Sequence, residues 1–158
     1  MKADYYSAAI SRAMDRLGFI ELRSTGTSMF PFIQERDTCF FRSFEPAYVK
    51  PGDVLLFIND EGGLVCHRII KVNKVHNEAP AYIICKGDTN LLPDPPVPSG
   101  QVIGKLTHIR KRWLTLSPDN GLGRLWGKLI IGMPPFAYIL HRVARLYRWR
   151  SNHLSTRP

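Results

Sequence analysis

A pair of apolar runs joined by a short glycine turn places the tightest constraint on the fold of this chain. "VLLFIND" leads through "EGG" into "LVCHRIIKV", the pattern of two strands that meet at a hairpin turn. Along the second run alternate side chains point to opposite faces, so Cys66 and Arg68 share one face and His67 lies on the other. This pattern predicts a non-parallel sheet.

Four more strand-like segments surround the hairpin, and glycine and proline turns separate them. They are "FIELRS", "DTCFFRSF", "AYIICKGD" and "QVIGKLTHIRKRWLTL", the last of them after the proline-rich loop "LLPDPPVPSG". Ahead of them, Tyr5 to Leu17 repeats apolar residues every three or four positions, which predicts an amphipathic helix that ends at Gly18. We therefore expect a mainly β fold opened by one helix.

The chain divides into three parts. Residues 1–18 form the amphipathic helix, residues 19–116 the β domain, and residues 117–158 a basic, aromatic C-terminal segment that we expect to be helical. A length of 158 residues, with 44% apolar and 22% charged residues, fits one globular domain of ordinary size.

Nearly all of the net positive charge lies near the C-terminus. From Lys105 onward there are eleven Lys or Arg and one acid, whereas the preceding residues are close to neutral. Between residues 141 and 150, arginines interleave with apolar and aromatic side chains, as in a helix that lies on an anionic membrane. A helix docked on the β domain, with a solvated basic face, explains the same pattern, and both interpretations stay open. No nucleic-acid-binding motif accompanies the charge, so we expect no nucleic-acid partner.

The sequence predicts a cytoplasmic or peripheral membrane location. Charged residues interrupt the first twenty positions, so no secretory signal peptide is visible. No apolar stretch reaches the roughly 18 residues of a membrane-spanning helix, and the nearest, Leu129 to Leu140, contains two prolines. Three widely spaced cysteines form no metal-ligand motif and favour a reducing compartment; neither a metal nor another cofactor is expected.

Ser28, His67 and an aspartate from the region of Asp88 and Asp94 form a possible catalytic set. A serine hydroxyl is a poor nucleophile at neutral pH unless a base takes its proton, and an acid often orients that base. His67 follows a hairpin turn and sits within a strand, a position that would hold an imidazole rigidly. Taken alone, each residue also fits an ordinary structural role, because turn aspartates usually bond to their own backbone.

Five segments, in order, resemble the successive motifs of the signal peptidase I family in its archaeal and endoplasmic-reticulum branch. They are "GTSMFPFI", "GDVLLF", "HRIIKV", "CKGDTN" with a following aspartate, and "VIGKL". The resemblance covers about half of the chain, from Thr25 to Leu106. It implies the β domain that signal peptidases share with self-cleaving SOS repressors.

The resemblance implies a role for each matching residue. Ser28 matches the nucleophile, His67 the general base and Asp94 the usual acid of the triad, while Asp88 matches a second essential aspartate. The bacterial branch is less similar, because it uses a lysine where this chain has His67.

The residues around the nucleophile are candidates for the oxyanion hole and the substrate site. The Ser28 backbone N–H, held by the turn at Gly26 and Thr27, is placed to bind an oxyanion. The family often has Ser-Gly before the nucleophile, whereas Gly26-Thr27 reverses that order, so any side-chain donor comes from Thr25 or Thr27. Met29 either lines the substrate site or packs in the core.

The leading hypothesis is a serine endopeptidase that cleaves a peptide or precursor protein. An alternative is an inactive peptide-binding or membrane-recruitment module of the same fold, in which the Ser28 and His67 side chains lie beyond hydrogen-bonding distance. A self-cleaving repressor is disfavoured, because only 24 residues precede the Thr25 motif and His67 replaces the lysine of that class.

Overall fold

An antiparallel sheet occupies the middle of the chain, with helices before and after it. The computed structural model describes residues 2–73 and 82–154. The helices are α1 (Lys2–Leu17), α2 (Gly121–Gly132) and α3 (Pro134–Leu154). The strands are β1 (Phe19–Arg23), β2 (Thr38–Arg42), β3 (Val54–Ile58), β4 (Leu64–Asn73), β5 (Tyr82–Lys86), β6 (Val97–Pro98), β7 (Val102–Arg110) and β8 (Thr115–Leu116).

The sheet has the order β1-β2-β7-β3-β4-β5-β6, and β8 pairs with β7 outside this path. Every pairing between these described strands is antiparallel, and the sheet curves into a half-barrel. The expectation of a mainly β fold with a non-parallel sheet is therefore confirmed.

Strand β3 lies at the centre of the sheet and is buried on both faces. Val54 and Leu56 pack in a cluster with α1 and the segment after Gly26, whereas Leu55 and Phe57 pack in a second cluster with β4 and β5. Cover on both sides explains why "VLLF" is continuously apolar instead of alternating.

One predicted strand is divided in two. "QVIGKLTHIRKRWLTL" was expected to continue as a strand, but β7 ends at Arg110, and the Lys111 N–H donates to the Leu114 carbonyl to close a turn. The return strand, β8, then pairs Leu116 with Ile109. Arg112 and Trp113 at the turn are exposed, whereas Lys111 is partly buried and pairs with Asp37.

The C-terminal segment forms two helices that dock on the β domain. The Asn120 side chain caps α2 by accepting from the Gly123 N–H at 2.7 Å. Ile130 of α2 is buried, as are Ala137, Leu140 and Ala144 of α3. The docked-helix interpretation of the basic segment therefore holds for one face of α3.

Candidate active site

Ser28, His67 and Asp94 form a continuous hydrogen-bonded relay. The Ser28 Oγ lies 3.0 Å from His67 Nε2, and His67 Nδ1 lies 2.6 Å from an oxygen of Asp94. In the tautomer with the proton on Nδ1, that N–H donates to Asp94 and Nε2 accepts from the serine hydroxyl. This is the arrangement of nucleophile, base and orienting acid. The inactive-module hypothesis expected the serine and histidine to lie farther apart, and that expectation is wrong.

His67 is held by the centre of the sheet. It lies on β4 opposite Leu55 of β3 and is buried. Its ring meets the Phe57 ring edge-on, with the centroids 6.3 Å apart. Leu55 and Phe57 belong to a strand that is buried on both faces. Packing against them therefore holds the imidazole in a fixed position next to Ser28.

Ser28 lies in a turn that glycine makes possible. Gly26 has φ of +80°, a conformation that costs any side-chain-bearing residue free energy, and an added Cβ would meet no atom within 4 Å. The glycine is therefore required by backbone geometry and not by space. After the turn, Met29 is buried in the core, so packing anchors the segment next to Ser28.

The loop that carries Asp94 also holds the Ser28 turn. The Thr89 N–H donates to the Ser28 carbonyl at 2.9 Å, and the Thr89 hydroxyl lies 3.1 Å from both the Ser28 and Thr27 carbonyls. A Cβ at Gly87 would lie 2.9 Å from the Ser28 carbonyl, so only glycine fits there. At the far end of the loop, the Asp94 N–H donates to the Cys85 carbonyl at 2.9 Å.

Asp88 has a different partner from Asp94. Its two oxygens accept from Arg68 Nε at 2.8 Å and Arg68 Nη2 at 2.9 Å, and both side chains are fully buried. The Trp126 indole N–H donates to the same carboxylate at 2.7 Å. The structure therefore gives Asp94, and not Asp88, to the histidine.

Arg68 anchors several elements at once. Besides Asp88, it donates from Nη1 to the Gly52 carbonyl at 3.0 Å, and its guanidinium lies 4.8 Å from the Phe32 ring centre. A buried charge is tolerated only when it is paired and hydrogen-bonded in this way. The ion pair thus ties β4 to the segments that flank Ser28 and Asp94.

The C-terminal helix α3 also contacts the turn that carries Ser28. Arg148 Nη2 donates to the Thr27 hydroxyl at 2.5 Å, and the Tyr147 and Phe30 rings lie 5.1 Å apart. His141 Nδ1 lies 3.1 Å from the Thr89 carbonyl. Sequence reasoning assigned no such role to α3, nor to Trp126 of α2. Contacts with residues at least 38 positions away leave no local pattern in the sequence.

A cavity of about 330 Å³ opens beside Ser28 and His67. Its apolar wall comes from α1, β1, β2, β3, β4 and the segment after Ser28: Tyr6, Leu22, Met29, Ile33, Cys39, Phe41, Leu56, Leu64, Val65 and Cys66. Gly26 and Thr25 also line it, whereas Thr27 is buried and accepts from Arg148. Of the two threonines considered for the oxyanion hole, Thr25 thus lies on the cavity.

The buried thiols do not compete with the serine as nucleophiles. Burial, with a smaller contribution from Asp37 and an opposing one from Lys111, raises the pKa of Cys39 to about 12. Burial, with a smaller contribution from Asp94, raises the pKa of Cys85 to about 12. Because the thiolate is the reactive form, both groups are inert near neutral pH.

Comparisons with known proteins leave the family open. No family model matches the chain, and a search of the curated proteins finds no significant match.

Within residues 2–73 and 82–154, no cluster of three or more His, Cys, Asp or Glu is arranged to hold a metal ion. No helix in these ranges is both long enough and apolar enough to cross a bilayer.

Proposed function

We propose that the protein is a serine endopeptidase related to the archaeal and endoplasmic-reticulum branch of signal peptidase I. The observation that carries the proposal is the unbroken Ser28–His67–Asp94 relay at the mouth of an apolar cavity. A β domain of the kind found in signal peptidases and self-cleaving repressors is part of the same proposal. The five ordered motifs between Thr25 and Leu106 support it.

The geometry supports acyl transfer through the serine. The Ser28 oxygen attacks the substrate carbonyl while its proton passes to His67 Nε2, and Asp94 stabilises the imidazolium. The imidazolium then protonates the departing amine, which leaves an ester on Ser28. Water, deprotonated by His67, attacks the ester, and the released serine oxygen regains the proton. In this mechanism the Ser28 N–H and Thr25, which lines the cavity, bind the oxyanion.

We expect an extended peptide as the substrate. Residues 64–66 at the start of β4 pair with β3, whereas pairing with β5 begins only at Arg68. Residues 64–66 line the cavity, and the end of β1 lines it as well. A peptide there would gain main-chain hydrogen bonds as an added strand, and its side chains would enter the apolar cavity. The family resemblance implies small side chains next to the scissile bond.

A fluorophosphonate probe tests the proposal without a known substrate, because it reacts only with an activated serine. We expect stoichiometric labelling of the full chain, mapped by mass spectrometry to Ser28. Ser28→Ala abolishes labelling, and His67→Ala slows it by at least about a hundredfold, the usual contribution of a general base. Cleavage of candidate precursor peptides by the same three proteins then defines the substrate.

Ser24 serves as an internal control in this experiment. It lines the same cavity, but its hydroxyl donates to the backbone carbonyls of Gln34 and Asp37 and not to a histidine. Label on Ser24, or labelling that is equally fast in His67→Ala, contradicts the proposal.

A further inference from the structure

Helix α3 presents two different faces, and only one of them is explained by the β domain. Ala137, Leu140 and Ala144 point inward and are buried, and Arg148 on the same side reaches Thr27. The spacing of these residues, three and four positions, defines a single docked stripe along the helix. The opposite side of α3 is solvent-exposed.

That opposite side carries an apolar row. Ile139, Val143 and Leu146 follow one another at four- and three-residue steps and are 56%, 43% and 68% exposed. Single exposed apolar residues are ordinary on a protein surface, but a continuous row along a helix marks an interaction site.

Basic and aromatic groups flank the row. Arg142 and Arg145 are exposed, and the Arg142 guanidinium lies 5.7 Å from the ring centre of Tyr138, which is itself exposed. After Asp119 the sequence contains seven Lys or Arg and no acid. An apolar row bordered by arginines and a tyrosine is the composition of helices that lie in the headgroup region of anionic bilayers.

We infer that α3 is an interfacial helix, which lays Ile139, Val143 and Leu146 into the surface of an anionic membrane while its inward face stays on the β domain. The arginines decide between the occupants of this face. A second copy of the chain would set the same cations against each other at no gain in charge pairing, whereas anionic headgroups neutralise them. The inward contacts to Thr27 and Thr89 keep α3 attached to the segment that carries Ser28.

Vesicle sedimentation of the full chain tests the inference. We expect binding to vesicles of phosphatidylcholine with 30% phosphatidylglycerol, and at least about tenfold weaker binding to pure phosphatidylcholine, because several arginines contribute electrostatically. Binding to the anionic vesicles should weaken as sodium chloride screens the surface charge.

Matched variants assign the binding to α3. Removing both cations in Arg142→Ala/Arg145→Ala is expected to lower the partition coefficient about 30-fold, which corresponds to about 1 kcal/mol for each basic residue near the surface. Arg12→Ala/Arg16→Ala removes the same charge from exposed positions of α1 and should change binding less than about threefold. Leu146→Ser should weaken binding about tenfold. Its control is Leu17→Ser, at a residue of α1 that is 62% exposed.

Three results would overturn the inference. They are no binding to either kind of vesicle, equal binding to both kinds, and equal losses in the α1 and α3 variants. Dimers in light scattering that Leu146→Ser dissociates would assign the face to a second copy instead. Fluorophosphonate labelling without vesicles reports on the relay separately, so a failure of membrane binding and a failure of the peptidase proposal are distinguishable.

Discussion

At the scale of single residues, two nearby aspartates have separate tasks. The Asp94 side chain contacts His67 and is 18% exposed. The Asp88 side chain contacts Arg68 and Trp126 and is fully buried. A carboxylate that orients a base acts on the reaction, and one that neutralises a buried guanidinium acts on the fold. Substitution of each by asparagine separates these effects.

We expect Asp94→Asn to slow fluorophosphonate labelling of Ser28 by about three orders of magnitude or more, because the amide favours the wrong tautomer of His67. The free energy of unfolding should change by less than about 1 kcal/mol. Asp88→Asn should instead lower it by about 3 kcal/mol or more, because Arg68 is left buried without its counter-charge. Urea unfolding and labelling rates measure the two quantities, and the reverse pattern would exchange the two roles.

At the scale of elements, helix α2 links the C-terminal segment to the core of the site. Trp126 is the link, because its indole N–H donates to Asp88 and its ring meets Phe136 edge-on with the centroids 5.8 Å apart. Gly127, next in the chain, approaches Gly52 and Arg68 closely enough that a Cβ would contact both. The helix therefore supports the ion pair from outside the sheet.

Trp126→Phe keeps most of the ring and removes the donated hydrogen bond. We expect the free energy of unfolding to fall by about 1.5–3 kcal/mol, the usual contribution of a hydrogen bond to a charged group. The matched control is Trp113→Phe in the turn between β7 and β8, where the side chain is 85% exposed. That change should stay within about 0.5 kcal/mol. Equal effects of the two substitutions in urea unfolding would show that the indole N–H contributes nothing.

The elements also show what the sequence reveals and what it does not. Apolar residues at every third or fourth position predicted α1, and alternation with turn residues predicted the hairpin of β3 and β4, because those patterns arise from local backbone geometry. The break between β7 and β8 has no such local signal, since "THIRKRWLTL" has strand-forming residues on both sides of its turn. Residue chemistry indicated Ser28 and His67 with an aspartate, and the family resemblance implied that Asp94 is the acid of the set. Their closeness, and the support from Trp126 and Arg148, depends on tertiary packing.

At the scale of the whole molecule, two buried thiols make the free energy of unfolding depend on pH in the alkaline range. The pKa values of Cys39 and Cys85 are raised to about 12 in the folded chain, from 9.0. A raised pKa means that the folded chain holds its thiol protons at a pH where the unfolded chain releases them. The contribution of these two thiols to the free energy of unfolding is therefore fully present below pH 9 and is lost progressively as the pH rises toward 12.

We expect the free energy of unfolding to fall by about 1 kcal/mol for each of the two thiols between pH 8 and pH 10. Other ionisable groups contribute over the same pH interval. The contribution of the thiols is therefore measured as the difference between the unmodified chain and a variant that lacks both thiols. In Cys39→Ala/Cys85→Ala the fall over this interval should be smaller by about 2 kcal/mol, although the variant is less stable at pH 8. Urea unfolding at both pH values provides the comparison, and parallel pH profiles would contradict the raised pKa values.

The short loop between β5 and Asp94 has a consequence for how the site fails. Through Thr89 it fixes the Ser28 carbonyl, and through Asp94 it fixes the imidazole, so one backbone segment positions both partners of the proposed proton transfer. A displacement of that segment misaligns hydroxyl and ring together. Substitutions that shift this loop are therefore expected to abolish the proposed activity, and few of them should leave a partly active variant.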